Sequence, residues 1–100
     1  MTVSYMQIVT EEARLVLLRL LAEAGEYTSN SSVLAMALDH YGITLSRDQV
    51  NTQLAWLAEQ QLVKTEQVAT IVRATLTLRG LDVATGTAHV PGVKRPSPKA

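Results

Sequence analysis

The stretch "SRDQVNTQLAWLAEQQLV", residues 46–63, decides the fold. Ser46 followed three residues later by Gln49 is an S-x-x-Q capping box, the signature of a helix start. Val50, Leu54, Leu57 and Ala58 then recur at helical spacing and predict a buried stripe. At Leu62-Val63 the period changes, as at the exit from a helix into a strand. Just upstream, "SNSSVLAMALDHYG" (29–42) reads as a shorter helix capped by Asn30, Ser31 or Ser32 and ended by Gly42. Its Leu34, Ala37, Leu38 and Tyr41 fall at i, i+3, i+4 and i+7. Only Ile43-Thr44-Leu45 joins the two helices, which is the helix-turn-helix layout.

Working outward, "TEEARLVLLRLLAEAGEY" (10–27) predicts a strong first helix. Thr10 can cap it, with Glu11 and Glu12 favoured by the helix dipole in the first turn. Ser4 and Gln7 offer an earlier capping box, and Gly25 a stop. Its polar residues Glu12, Arg19, Glu23 and Glu26 make one narrow stripe, and almost everything else is Leu, Val or Ala. A helix with one solvent face normally shows a wider polar side. This helix is therefore expected to be central, or to pair with a second chain as a homodimer. Beyond Leu62 the Val-, Thr- and Ile-rich run predicts two antiparallel strands, about 63–67 and 72–77, with the turn near 68–70. "LTLRGLDVATG" (76–86) then reads as a strand end and a short helical turn, and "PGVKRPSPKA" (91–100) as an extended end. The expected fold is mainly α: a winged helix-turn-helix of three helices plus a two-stranded β-hairpin wing, a short C-terminal helical turn and an extended tail. Residues 1–88 form the expected domain and 89–100 a basic, Pro-rich flexible tail.

Composition narrows the function. One hundred residues with 47% hydrophobic content suit one domain, and with no Phe the core must come from Leu, Val and Ala. There is no Cys, so disulfides and thiolate metal sites are excluded. No apolar run is long enough to span a bilayer, and no signal peptide is evident, so the expected location is the cytoplasm of the host cell. Net charge is zero but unevenly spread: residues 1–90 hold six cations and nine acids, residues 91–100 three cations and no acid. An acidic body attracts phosphate poorly, whereas the tail has the right sign.

"LSRDQVNTQLAWLAEQQLV" resembles the third helix of ArsR- and MarR-like winged-helix regulators, and "LTLRG" resembles the segment that closes the wing in that group. The chain is more closely similar to a family of small winged-helix proteins encoded by Mu-like transposable phages. The shared pieces are "LRLLAEA", "SRDQ" with "LAWLAEQ", "LTLRGLDVA" and the tail "PGVKRPSP". That resemblance spans nearly the whole chain and implies a regulator by fold. One departure stands out: where the ArsR-like helix ends on Gly, this chain has Gln61, so the helix either runs further or ends on a strained residue.

No nucleophile–base set, Gly-rich phosphate loop or ligand cluster is present. His40 and His89 lie far apart, so neither an enzyme, a metal, a cofactor nor a small-molecule ligand is expected. For double-stranded DNA, Arg47, Gln49, Asn51, Thr52 and Gln53 occupy the first turns of the third helix, where such helices approach base edges. Lys64 and Arg73 on the wing, with Lys94 and Arg95 on the tail, would hold phosphates. Asp48 and Glu59 share the helix face and oppose this. Trp56, the sole Trp, points away from the three-helix core. It either anchors a host or phage protein or packs under the wing or under a folded-back segment at 83–93. The tail could enter a minor groove, bind an acidic protein surface or simply remain solvated.

Overall fold

The computed structural model describes residues 2–97. Its elements run α1 (Tyr5–Glu23), a 3-10 turn (Gly25–Tyr27), β1 (Thr28–Asn30), α2 (Ser31–His40), α3 (Arg47–Glu59), β2 (Val63–Val68), β3 (Ile71–Leu76) and α4 (Leu78–Ala84). This is a winged helix-turn-helix with a mainly helical body.

Helix starts follow the hydroxyl and amide caps. Ser4, rather than Thr10, caps α1: its side chain accepts from the Gln7 backbone N–H at 3.1 Å. Asn30 caps α2 through Val33 N–H at 2.9 Å. Both halves of the Ser46–Gln49 capping box are formed on α3. Thr77 caps α4 by accepting from the Gly80 N–H, and the single proton of its hydroxyl is shared between the Gln61 and Leu62 carbonyls. Gly80 lets α4 lie against the start of β2, since a Cβ there would stand 2.1 Å from the Leu62 carbonyl oxygen.

The sheet has three strands in the order β1-β3-β2, all antiparallel. The expected hairpin is present, but Thr28–Asn30 adds a third strand on the far side of β3. Three residues are too few to show alternation, and this strand is recognisable only by its pairing, including Thr28 Oγ1 to Thr75 Oγ1 at 2.9 Å. The hairpin turn is also tighter than expected. Val68 pairs with Ile71, leaving Ala69-Thr70 as a two-residue turn with Ala69 at φ 54°. No Gly or Asn marks it, so only the left-handed Ala69 makes the reversal possible.

The core is a Leu and Val cluster centred on α1. Ala13, Leu15, Val16, Leu17, Leu18 and Leu21 are buried against Leu34, Leu38, Val50, Leu54, Leu57, Val83, Val90 and Val93. This explains the narrow polar stripe of α1. Its middle is covered within the chain by α4, α2 and the segment around Val90–Val93, and the uncovered apolar residues are at its N-terminal end: Tyr5, Met6 and Ile8 are 76%, 61% and 56% exposed. The expected tail does not leave the body at 89. Val90 and Val93 are buried, and the Lys94 N–H donates to the Glu11 carbonyl, so packing continues to Lys94. The last three residues of the expected tail, 98–100, lie outside the described residues.

Candidate nucleic-acid interface

α3 presents four faces. Val50, Leu54 and Leu57 enter the core. Gln49, Gln53 and Trp56 turn toward α1, Asn51 turns toward the wing, and Asp48, Thr52, Ala55 and Glu59 form the outer, exposed stripe. Arg47 is exposed at the first turn, beside Asp48. The five residues expected to face bases are therefore not equivalent. Arg47 and Thr52 are open, although the Thr52 hydroxyl donates to the Asp48 carbonyl at 3.2 Å. Gln49 spends its amide oxygen on the Ser46 N–H at 2.8 Å. Gln53 accepts from Arg14 Nε at 2.8 Å. Asn51 Nδ2 reaches the Thr70 carbonyl at 3.5 Å, and its Oδ1 is buried without a partner.

Between α3 and the wing lies an open groove of about 370 Å³, lined by Asn51, Thr52, Ala55, Thr65, Gln67 and Val72. It offers amides, hydroxyls and methyls and no charge. Because side chains alternate across a strand, Thr65, Gln67 and Val72 on this face leave Lys64, Glu66 and Arg73 on the other. The two wing cations thus lie on the sheet face away from α3. Arg73 is also ion-paired with Glu66 directly across the ladder. Lys94 pairs with Glu12 at 3.4 Å, its side chain remaining half exposed, and Arg95 is exposed. Arg79 donates to the Gln60 carbonyl at 3.1 Å.

Trp56 has an intramolecular role. The Arg14 guanidinium stacks 3.8 Å from the centre of its ring, donates to Gln53, and donates again to the Gly92 carbonyl at 2.9 Å. Gly92, at φ 101°, lies flat on the ring, where a Cβ would stand 2.7 Å from the indole. Burial lowers the Arg14 pKa from its ordinary value and the nearby Glu11 opposes that shift. The guanidinium still keeps its charge, because Arg does not deprotonate in proteins. Of the two readings of Trp56, the folded-back segment accounts for it. The sequence reading missed Arg14, although a lone cation between Ala13 and Leu15, away from the polar stripe of α1, is a signal that a partner must exist.

A second cleft, also about 370 Å³ and largely apolar, is formed by Tyr5, Met6, Ile8 and Val9 on one side and Gly42–Leu45 on the other. Among the described residues no group of three His, Cys, Asp or Glu side chains is placed to hold a metal ion. No described helix is long and apolar enough to cross a membrane.

Comparison with known proteins adds relatives of similar length. The uncharacterized protein gp26 of Escherichia phage Mu is 52% identical over 93 residues, covering 93% of this chain and 96% of gp26. A Haemophilus influenzae protein is 39% identical over 97 residues, covering 96% of this chain and 94% of that protein. No protein-family model matches the chain. Among solved structures, RosR of H. salinarum superposes with a TM-score of 0.61 at 19% identity, over 73% of this chain and 66% of RosR. ZitR of Lactococcus lactis gives a TM-score of 0.54 at 23% identity, over 81% of this chain and 57% of ZitR. At these identities the likeness is one of fold.

Proposed function

The chain belongs to the family of gp26 of Escherichia phage Mu, and on that premise we propose that it is a phage-encoded, non-enzymatic regulator that binds double-stranded DNA as a homodimer. One observation carries the reading. The outer face of α3 and its groove against the wing are covered by no other part of the described chain, while Val50, Leu54 and Leu57 fill the core and Gln53 and Trp56 are held by Arg14. Arg47 and Thr52 are the side chains free to meet base edges first, with Ala55 offering a methyl contact to thymine. Gln49, Asn51 and Gln53 are held by bonds within the fold and would meet bases only by giving those bonds up. Lys64, Arg73, Lys94 and Arg95 are the candidate phosphate contacts, drawn from more than one face of the molecule.

Dimerisation through α1 places two such helices on one duplex. Tyr5, Met6 and Ile8, with the adjoining apolar cleft, form the surface proposed for that contact. A protein partner from host or phage is the second reading, favoured by one fact: the outer stripe of α3 carries Asp48 and Glu59 and no cation of its own. The two readings separate on Arg47→Ala. Measured by anisotropy of a labelled duplex, the variant should bind about tenfold more weakly with unchanged thermal stability, as one lost Arg–base or Arg–phosphate contact is worth roughly 1–3 kcal/mol. Equal binding by variant and parent would remove α3 from the DNA contact.

A further inference from the structure

β2 is an outer strand of the sheet. Its register on β3 is unbroken from Val63 to Val68, it contains no Pro, and Lys64–Val68 are all exposed. Free edges of this kind are commonly guarded by charge that discourages another strand. Here the charges are self-complementary. The Leu62 carbonyl accepts from the N–H of Thr77, which lies opposite it in the same register. Hydrogen-bonded and non-bonded pairs alternate along an antiparallel ladder, so Lys64–Thr75 and Glu66–Arg73 are bonded pairs. The N–H and C=O groups of Val63, Thr65 and Gln67 therefore point out toward the open edge.

A second β2 running antiparallel about a two-fold axis can bond this edge only if outward-pointing residues meet each other. The register centred on Thr65 satisfies this. Thr65 faces Thr65 of the second copy, and Val63 faces Gln67 in both directions. That same register sets Lys64 opposite Glu66 twice, on the outer face of the sheet. Each row across the joined sheets then runs Arg73, Glu66, Lys64 of the second copy and its Thr75, alternating in sign where charges meet.

We propose that the free edge of β2 is a self-association surface, through which two copies join their three-stranded sheets into one of six strands. The inference is independent of DNA binding and of the α1 patch. Two different two-fold contacts on one chain would line dimers up side by side.

The chain has no Cys, so Thr65→Cys introduces a single thiol. In the proposed register its Cα lies about 5.5 Å from its mate, within disulfide range. The two thiols of Gln67→Cys would be four residues apart, roughly 13 Å. Under mild oxidation of the full chain, the T65C dimer should form at least about tenfold faster than the Q67C dimer, with circular dichroism unchanged in both. Adding Lys64→Glu to T65C should slow it to the Q67C rate, and adding Lys64→Glu, Glu66→Lys and Arg73→Glu together, which inverts the whole row, should restore it. T65C no faster than Q67C, as expected if the edge serves another polypeptide or none, overturns the proposal. So does insensitivity of T65C to Lys64→Glu.

Discussion

Gln61 sits at φ 63° just after α3, in the left-handed region where helices usually place Gly. A side chain there costs roughly 1–2 kcal/mol, against about 0.5–1 kcal/mol of extra chain entropy that Gly would lose on folding. Gln61→Gly should therefore raise stability by about 0.5–1 kcal/mol, and the melting temperature by roughly 4 °C. An unchanged or lower melting temperature would show that the Gln61 side chain contributes a contact that outweighs the strain. Gly92 is the opposite case. Gly92→Ala must push a methyl into the Trp56 ring, and overpacking of this kind typically costs about 1–3 kcal/mol. Because Trp56 is the sole Trp, its emission reports the folded-back segment around Gly92 directly and should shift to the red in this variant. At this scale the sequence was partly legible. The departure at Gln61 was visible as a missing Gly, whereas the Arg14–Trp56–Gly92 stack joins residues 14, 56 and 92, and no local pattern encodes contacts of that separation.

At the scale of elements, caps and periodicity carried most of the information. The Ser46–Gln49 box forms as its spacing implies, and Ser46→Ala should cost about 1 kcal/mol in a denaturation experiment. Loss of much less than that would mean that packing alone sets the start of α3. β1 escaped because its three residues are stabilised by β3 and not by any preference of their own. The hairpin turn was placed to within a residue, yet its type was hidden because Ala69 occupies a position usually signalled by Gly or Asn. For the candidate site, the sequence placed Arg47, Gln49, Asn51, Thr52 and Gln53 on one helix, and all five lie on α3. It could not show that Gln49 and Gln53 spend their amide oxygens inside the molecule.

For the whole molecule, the apolar excess of α1 has two destinations: the chain's own α4 and C-terminal segment, and an exposed N-terminal end. Ile8→Glu should leave the fold intact and, combined with Lys64→Glu to disable the β2 edge, shift the chain to monomer in sedimentation. A fully monomeric parent chain would dispose of the α1 contact. The charge distribution sets the terms for nucleic acid. With Lys64, Arg73, Lys94 and Arg95 all engaged, log K should fall with log salt at a slope of about −3.6 for one chain and about −7 for two acting together. The most direct measurement is titration of random duplex DNA with the full-length chain at about 20 mM salt, repeated at higher salt. The account predicts a complex at micromolar protein that weakens along that slope. No complex at micromolar protein and low salt, where the phosphate attraction is strongest, would contradict it.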